Sequence, residues 1–345
     1  MSGVPPSTRR PVVAVLIDDT RPPGMADVER TAEVCYADAA GLPAIIRDAD
    51  VLLAWDFLSD AITEAWPHAT RLRWMHTASA GVDRVLTPEV AASEVTVTNS
   101  GGVFDRSMAE YVLGLVLAFA KDLPGTLASQ RAHRWQHRET ETLDGRTAVV
   151  VGVGPIGRAT ARVLQACGLR VAGVGRTRRA GDADFGEVLA DTDLLSVLPR
   201  ADYVIVTAPL TDRTRGMFDS RAFSAMRPTA RFINVGRGPI VVEEALLQAL
   251  RSGQIAGAAL DVFGHEPIPA TAPWWDLPNV IVSPHMSGDF VGWREALAAL
   301  FVANYRRWIA GQPLAHVVDK RAGYPAPAAD GLPPLRAGGS PATDG

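Results

Sequence analysis

The sequence predicts an α/β protein of two domains, the second built on a doubly wound parallel sheet. Short apolar runs, typical of strands buried on both faces, alternate with helical stretches along most of the chain. A glycine-rich turn, Gly152-x-Gly154-x-x-Gly157, joins one of these runs to a helix. The length of 345 residues is sufficient for two domains of ordinary size, each with its own core.

The first domain is expected to begin with an α/β segment. Four short apolar runs are predicted to be its parallel strands, with helical stretches between and after them. These runs are residues 12–17, 51–55, 72–77 and 95–99. A helix over residues 104–123, apolar almost all round its middle, is then expected to be buried and to lead into the second domain.

The second domain should contain six strands separated by helical segments, which indicates a doubly wound sheet. The predicted strands are residues 147–151, 171–174, 203–207, 231–235, 258–261 and 280–282. An amphipathic helix over residues 292–310 is expected to return to the first domain. The predicted boundaries are therefore 11–103 with 292–324 for the first domain, 104–291 for the second, and mobile tails at 1–10 and 325–345.

Composition excludes several classes of protein. A hydrophobic fraction of 47% with 21% charged residues is typical of soluble globular proteins, and we expect a cytoplasmic protein without a membrane segment. A net charge of −4 argues against a nucleic-acid surface, which needs a basic face. Two cysteines and seven scattered histidines show no ligand spacing, so no metal site is expected.

The glycine turn has the context of a dinucleotide site, because residues 149–151 are a predicted strand and residues 158–168 a predicted helix. Glycine permits the tight turn and lets the backbone approach a pyrophosphate at the positive end of the helix. The residues predicted to bind the cofactor here are Gly152, Gly154, Pro155, Ile156 and Gly157.

The strand after this helix ends without a carboxylate for the free hydroxyls of an adenosine ribose. It continues as Gly175-Arg-Thr-Arg-Arg179. A guanidinium fork and a hydroxyl suit a 2′-phosphate instead, so Arg176 and Thr177 are predicted to bind it. NADP(H) is therefore the expected cofactor, with NAD(H) as the second choice; a solvated basic turn is the alternative interpretation.

Three residues have the chemistry that reduction of a 2-oxoacid requires. Histidine titrates closest to neutral pH, which makes His285 the candidate proton donor. Glu266 would favour the imidazolium and fix its orientation, while Arg237 would hold the substrate carboxylate and polarise the carbonyl. Each could singly be a surface, capping or core residue. All three lie at strand ends or in the loops that follow, where α/β sheets bind ligands.

Six motifs occur in the order found in the D-isomer-specific 2-hydroxyacid dehydrogenase family, and the chain resembles its glyoxylate/hydroxypyruvate reductase-like branch over residues 45–325. They are His76-Thr-Ala-Ser-Ala-Gly-Val-Asp83, the turn at 152–157, Ala208-Pro-Leu-Thr211, Ile233-Asn-Val-Gly-Arg-Gly238, Asp261-Val-Phe-Gly-His-Glu-Pro267 and Ser283-Pro-His-Met-Ser-Gly288. The resemblance implies a flavodoxin-like substrate domain, which is discontinuous, and a Rossmann dinucleotide-binding domain.

The resemblance also implies roles for individual residues. The catalytic Arg, Glu and His of the family fall on Arg237, Glu266 and His285. The backbone at Ala80 and Gly81, together with Arg237, would bind the substrate carboxylate. Contacts to the dinucleotide are implied for the backbone of Ala208, Pro209 and Val235 and for the side chain of Asp261, which would bind the nicotinamide carboxamide unless it caps a helix. The usual assembly of the family is a homodimer.

The expected function is therefore NAD(P)H-dependent reduction of a small 2-oxoacid to a D-2-hydroxyacid. A short phosphoglycerate dehydrogenase and a non-catalytic dinucleotide-sensing protein are the alternatives. Formate dehydrogenase is disfavoured, because its Gln-His pair is replaced here by Pro284-His285. The substrate side chain could be bordered by Phe104, Asp105 and Arg106, which have no clear family counterpart. Trp55, Trp274 and Trp275 could also border it, unless these tryptophans serve packing or a dimer contact.

Overall fold

The computed structural model describes residues 9–325 and divides the chain into two compact units. One unit ends at Val103 and resumes at Val291, and we call it the split unit. The other, Phe104–Phe290, is called the continuous unit. Of the predicted mobile tails, residues 1–8 and 326–345 lie outside the described part of the chain.

The split unit is built on a five-stranded parallel sheet with the strand order β2-β1-β3-β4-β5. Its strands are β1 (Val12–Leu16), β2 (Glu33–Ala37), β3 (Val51–Ala54), β4 (Trp74–Thr77) and β5 (Thr96–Thr98). The first four helices are α1 (Ala26–Thr31), α2 (Leu42–Ile45), α3 (Ala61–Ala65) and α4 (Pro88–Ala92). Every residue of β1, β3 and β4 is buried, which accounts for their continuous apolar runs.

The continuous unit contains an eight-stranded sheet with the order β13-β12-β11-β10-β6-β7-β9-β8. The strands are β6 (Thr147–Val151), β7 (Arg170–Gly175), β8 (Arg179–Asp182), β9 (Gly186–Ala190), β10 (Tyr203–Val206), β11 (Arg231–Asn234), β12 (Gly257–Leu260) and β13 (Val280–Val282). Its helices are α5 (Asp105–Ala120), α6 (Leu123–Arg131), α7 (Pro155–Ala166), α8 (Leu194–Val197), α9 (Ser220–Ala225) and α10 (Glu243–Arg251). The strand order reverses between β6 and β10, where doubly wound sheets bind ligands at the carboxyl ends of the strands.

The predicted α/β class is confirmed, but three strands of the two large sheets were not predicted. The edge strand β2 is largely half-buried and lies in a stretch that was expected to be helical. Strands β8 and β9 form an antiparallel hairpin at the other sheet's edge. The sequence of β8, Arg-Ala-Gly-Asp, has no strand preference, and ion pairs of Asp182 with Arg158 and Arg179 hold it in place.

The helix predicted over residues 104–123 is α5 in the structure, which ends three residues earlier than predicted, and a second helix, α6, begins at Leu123. Helix α5 ends at Ala120, and Asp122, with a φ of +46°, caps α6 by accepting the N–H of Gly125. None of the helices within residues 9–325 is by itself long and apolar enough to cross a membrane; α5 and α6 meet that length and composition only as a pair bent by 64°.

After the continuous unit, helix α11 (Trp293–Ile309) and the short antiparallel pair β14 (Val318–Asp319) and β15 (Tyr324–Pro325) return to the split unit. Phe301 of α11 stacks on Trp74 of β4 at a centroid distance of 5.3 Å. The hydroxyls of Tyr305 and Thr31 are 3.1 Å apart. The last helix therefore completes the core that the first strands begin.

Candidate active site

The glycine turn lies between β6 and α7, as the sequence predicts. Gly152 has a φ of +110°, and a Cβ atom at Gly157 would lie 1.9 Å from the carbonyl oxygen of Gly152. Neither position accepts a side chain without rearrangement. A Cβ at Gly154, in contrast, would have no atom within 4 Å. Open backbone therefore lies beside Pro155 and Ile156 at the start of α7, in the arrangement that fits a pyrophosphate.

The loop after β10 approaches this turn closely. A Cβ at Gly152 would lie 2.5 Å from the backbone nitrogen of Ala208, and one at Gly236 would lie 2.8 Å from its carbonyl oxygen. The buried Val235, which follows β11, donates its N–H to Val206 of β10 at 3.1 Å. Of the predicted backbone positions, Ala208 thus lies next to the glycine turn and Val235 lies beside β10, while Pro209 follows Ala208 in the same loop.

At the end of β7, two arginines of the basic turn form ion pairs with nearby carboxylates. Arg178 forms an ion pair with Asp193 at 2.9 Å, and Arg179 forms one with Asp182 at 3.3 Å. These two guanidiniums are engaged by carboxylates of the protein. Arg176 and Thr177, the predicted ligands of a 2′-phosphate, directly follow β7 and are exposed.

Glu266 and His285 form a direct pair, which the sequence predicts. Oε2 of Glu266 lies 2.7 Å from Nδ1 of His285, and Oε1 accepts the N–H of Phe263 at 2.8 Å. Burial acts to raise the pKa of Glu266, but these hydrogen bonds and the charges of His285 and Arg237 outweigh it and hold that pKa below its usual value. The carboxylate is therefore ionised at neutral pH. With Nδ1 engaged, Nε2 is the ring atom available to a substrate.

The turn that carries His285 is fixed by Asp261, which follows β12 and is fully buried. Its carboxylate accepts the hydroxyl of Ser283 at 2.6 Å and the N–H groups of Met286 and Ser287 at 3.0 and 2.9 Å. His285 itself has a φ of +54° and donates its N–H to the carbonyl of Asp261 at 2.8 Å. A side chain in this left-handed region is strained by about 1–2 kcal/mol, so the turn must be held by such contacts.

The contact of Asp261 with a nicotinamide carboxamide stays a prediction, and the structure gives this side chain other partners. Both carboxylate oxygens are occupied by donors from residues 283–287, and the residue is not exposed. The contacts of the Asp261 side chain are to the His285 turn rather than to open space. Sequence reasoning did not assign Ser283 a role; its place two residues before His285 was the only signal.

Arg237 lies in the loop after β11 and is half-buried. The loop is held by Asn234, whose Oδ1 accepts the N–H of Gly236 and whose Nδ2 donates to the carbonyl of Arg237, both at 3.1 Å. A Cβ at Gly238 would lie 1.9 Å from the carbonyl carbon of Phe263, so this loop packs directly on the one that bears Glu266. Asn234 was not predicted, although a buried amide at a strand end indicates such a role.

Ala80 and Gly81 belong to the split unit, in the half-buried turn after β4. The hydroxyl of Ser79 donates to the carbonyl of Gly81 at 2.6 Å, and the side-chain amide of Asn99 donates to the carbonyl of Ala80 at 2.6 Å. Within residues 9–325, the backbone N–H groups of Ala80 and Gly81 have no hydrogen-bond acceptor. A substrate carboxylate is a suitable partner for such groups.

The residues suggested as borders of a substrate pocket differ in their surroundings. Phe104 packs against the His285 turn, since a Cβ at Gly288 would lie 2.9 Å from its ring. The remaining positions are the half-buried Asp105, the exposed Arg106, which pairs with Glu110, the buried Trp55 and Trp274, and the exposed Trp275. In the described part of the chain, His, Cys, Asp and Glu side chains form no group of three that could hold a metal ion.

Comparison with known proteins identifies the family. The model of the D-isomer specific 2-hydroxyacid dehydrogenase NAD binding domain matches residues 113–287. Glyoxylate reductase of Thermofilum pendens is 33% identical over 282 residues, which are 80% of this chain and 83% of that protein. Glyoxylate reductase of Thermococcus gammatolerans is 32% identical over 286 residues, or 80% and 84% of the two chains.

Solved structures give the same result. A D-isomer specific 2-hydroxyacid dehydrogenase from Xanthobacter autotrophicus, in complex with NADPH and MES, superposes with a TM-score of 0.78 at 31% identity, covering 92% of this chain and 100% of that one. The NADPH-dependent glyoxylate/hydroxypyruvate reductase of Sinorhizobium meliloti, in complex with NADP and sulfate, does so with a TM-score of 0.78 at 29% identity, covering 92% and 100%.

The chain belongs to the D-isomer specific 2-hydroxyacid dehydrogenase family, and its continuous unit contains the NAD-binding domain of that family. The predicted family and fold class are confirmed. So is the enzyme class, that of oxidoreductases acting on CH–OH donors.

Proposed function

We propose that this protein reduces a small 2-oxoacid, of the glyoxylate or hydroxypyruvate kind, to the D-2-hydroxyacid with NADPH. The observation that supports it most directly is the Glu266–His285 pair, with an ionised carboxylate 2.7 Å from Nδ1 and Nε2 left for the substrate. Glyoxylate reductases among the relatives support the substrate class.

The cofactor supplies a hydride when it is bound, and the open backbone at Gly154 and the start of α7 fit its pyrophosphate. The chain's own residues supply the rest. His285 in its imidazolium form would donate the Nε2 proton to the carbonyl oxygen as the hydride reaches the carbonyl carbon. Glu266 would stabilise that imidazolium through Nδ1, as the carboxylate does in a Ser-His-Asp triad.

Arg237 is proposed to bind the substrate carboxylate and to polarise the carbonyl, because a guanidinium keeps its charge at all relevant pH values. The loop contacts of Asn234 would set the position of its backbone. We assign the N–H groups of Ala80 and Gly81 to the same carboxylate, on the basis of their lack of acceptors within the described residues. Electrostatic pairing of this kind selects acids over neutral carbonyl compounds.

The preference for NADP(H) over NAD(H) is proposed from Arg176 and Thr177. They follow β7 without an intervening carboxylate, and both are exposed. The X. autotrophicus and S. meliloti relatives were solved with NADPH or NADP, which supports the same choice here.

We also propose a homodimer. Leu123 and Leu127 lie one turn apart on α6 and are 46% and 49% exposed, and Trp135 after this helix is fully exposed. Large apolar groups in such positions are typical of a surface covered by another chain. Light scattering of the purified protein tests this directly: a monomeric mass at micromolar concentration would contradict it.

The decisive experiment is an initial-rate assay of NADPH and NADH oxidation against glyoxylate, hydroxypyruvate, pyruvate, phenylpyruvate and branched 2-oxoacids. Turnover with NADPH preferred is expected, and chiral analysis of the product should give the D-isomer. His285→Ala serves as the chemical control and should lose the reductase activity while still binding NADPH. 3-Phosphohydroxypyruvate in the same panel tests the short phosphoglycerate dehydrogenase alternative.

If the protein binds NADPH tightly but reduces none of these 2-oxoacids, the proposal is contradicted. That result would favour the alternative of a non-catalytic, dinucleotide-sensing protein. The intact pair of Glu266 and His285 argues against that outcome. A binding protein would have no need for a carboxylate placed to favour the protonated imidazole.

A further inference from the structure

The carboxyl ends of β4 and β5 in the split unit enclose a histidine, His76, that is 0% exposed. The indole nitrogen of Trp74 lies 2.8 Å from Oγ1 of Thr98, and this oxygen lies 2.8 Å from Nδ1 of His76. The other ring nitrogen, Nε2, is 3.3 Å from the hydroxyl of Ser100. These polar groups form one buried chain of hydrogen bonds.

The groups at the two ends of this series, Trp74 and Ser100, determine which atom donates in each hydrogen bond. The hydroxyl of Ser100 gives its hydrogen to a carbonyl, so it must accept from Nε2 of His76; in a neutral ring Nδ1 then accepts from Oγ1 of Thr98, which itself accepts from the indole of Trp74. The imidazole is then protonated at Nε2, which donates to Ser100. The hydroxyl of Ser100 in turn donates to the carbonyl of Thr77 at 3.0 Å, so each donor and each acceptor is used.

This arrangement requires a neutral imidazole. Burial, with a smaller effect from the nearby His316, lowers the pKa of His76 to about 3. Above that pH the ring keeps a single proton, on Nε2. The hydrogen bonds around His76 therefore keep the same donors and acceptors throughout the neutral pH range, and they act as a fixed element of structure.

The residues next in sequence orient the turn at Ala80 and Gly81. The N–H of Ser100 donates to the carbonyl of Ser79 at 2.9 Å, and Nδ2 of Asn99 donates to the carbonyl of Ala80 at 2.6 Å. In a trans peptide the carbonyl of one residue and the N–H of the next point in opposite directions. Ser100 thus sets the direction of the Ala80 N–H, and Asn99 sets that of the Gly81 N–H.

We propose that Asn99 and His76 are positioning residues for the substrate carboxylate. Asn99 acts directly on the peptide of Gly81, and His76 acts through Ser100 on the peptide of Ala80. N–H groups that already point at the carboxylate need no reorganisation on binding, which raises affinity. This inference rests on the proposed function, because it takes Ala80 and Gly81 as carboxylate ligands.

Two nearly isosteric substitutions test the proposal. Asn99→Asp replaces the amide donor by an oxygen that repels the carbonyl of Ala80, and Thr98→Val removes the hydroxyl that fixes the tautomer of His76. Each should raise the KM for glyoxylate about tenfold, the effect of one lost or misdirected hydrogen bond. The inhibition constant of oxamate, an unreactive 2-oxoacid analogue, should rise by the same factor. Thr98→Ser, which keeps the hydroxyl, should rescue most of the loss.

A merely structural role of these residues would also change kcat and the dissociation constant of NADPH. We expect kcat and the dissociation constant of NADPH to stay within about twofold of the wild type, since the lost contacts act on ground-state and transition-state binding alike. Thermal melting establishes that each variant is folded; should Asn99→Asp not fold, Ser100→Ala takes its place. An unchanged KM in folded variants, or a fall of kcat with NADPH affinity, would overturn the proposal.

The two proposals fail separately. If the wild type reduces no 2-oxoacid but binds oxamate in calorimetry, the proposed function is wrong, and the oxamate affinity of the variants still decides the positioning role. If the wild type turns over glyoxylate and the variants bind oxamate as tightly as it does, only the positioning role is wrong. Wild-type protein that neither turns over glyoxylate nor binds oxamate overturns both.

Discussion

Oε2 of Glu266 lies 2.7 Å from Nδ1 of His285, and the other carboxylate oxygen is held at 2.8 Å by the backbone N–H of Phe263. The carboxylate is therefore fixed at both oxygens, and its orientation does not depend on a bound ligand. The imidazole is oriented in turn, with Nε2 facing away from the carboxylate.

Substitution of Glu266 should alter the pH dependence of reduction. The pKa of Glu266 is held below its usual value, so the group is ionised at neutral pH and favours a proton on the imidazole. Glu266→Gln removes that charge, and the alkaline fall of kcat/KM should move to lower pH. Rates measured from acidic to alkaline pH test this, with Glu244→Gln on the exposed side of α10 as the control. An identical profile in Glu266→Gln would mean that the pair is not coupled in catalysis.

Arg237→Ala should lower kcat/KM for 2-oxoacids about 100-fold or more, because it removes the cation expected to bind the carboxylate and polarise the carbonyl. Cofactor affinity should change little. The matched control is Arg221→Ala, which removes an exposed guanidinium from α9 of the same unit. Steady-state kinetics and NADPH titration by fluorescence separate the two effects. Near-wild-type reduction by Arg237→Ala would exclude the assigned role.

Arg176→Ala should weaken NADPH binding about tenfold to 100-fold, the usual effect of losing a hydrogen bond to a charged group, and should leave NADH binding nearly unchanged. Arg178→Ala, two residues further on, should have a smaller effect because that guanidinium pairs with Asp193. Dissociation constants for both cofactors give the answer. Equal losses for NADPH and NADH would remove the 2′-phosphate assignment.

The two neighbouring glycines Gly154 and Gly157 should respond differently to alanine. A Cβ at Gly154 has open space, and the backbone there is extended, so Gly154→Ala should keep the wild-type melting temperature. Its affinity for NADPH should fall at least about tenfold, because the methyl group would occupy the position of the pyrophosphate. Gly157→Ala places a Cβ against the carbonyl of Gly152 and should destabilise the fold by about 1–3 kcal/mol. Calorimetry with and without NADPH distinguishes them. Equal melting temperatures for the two variants would contradict this account.

Asp261→Asn distinguishes the observed contacts from the role that the resemblance implies. An amide has one acceptor oxygen where the carboxylate has two, so one of the three donors from residues 283–287 would face an NH₂ group, at a cost of about 1–3 kcal/mol. We expect a lower kcat and a lower melting temperature with little change in the KM for NADPH. A selective rise in that KM would instead indicate a contact with the nicotinamide carboxamide.

The parts of the site that the sequence predicts are those encoded within a short stretch. The glycine turn depends on backbone space between Gly152 and Gly157, and the positions of Glu266 and His285 follow from strand ends in a doubly wound sheet. Local pattern and chemical type are sufficient for both. Strand β2 was not predicted because its edge position leaves it half-buried and without a clear alternation of apolar and polar residues.

The contacts that orient the site depend on residues brought together by the fold. Asp261 meets Ser283 across 22 positions of sequence, and His76 meets Thr98 across another 22. Nothing local to either residue indicates which partner it will find. Likewise, Arg178 pairs with Asp193 across 15 positions of sequence, and nothing local to Arg178 indicates that partner.

The return of helix α11 to the split unit determines when that unit can be finished during synthesis. Trp74 is made early, but the ring that stacks on it belongs to Phe301, which leaves the ribosome only after all of Phe104–Phe290. The continuous unit has its whole sheet in one stretch of chain and can close first. The domain translated first is thus the last to acquire its complete core, and its exposed strands must remain soluble in the interval.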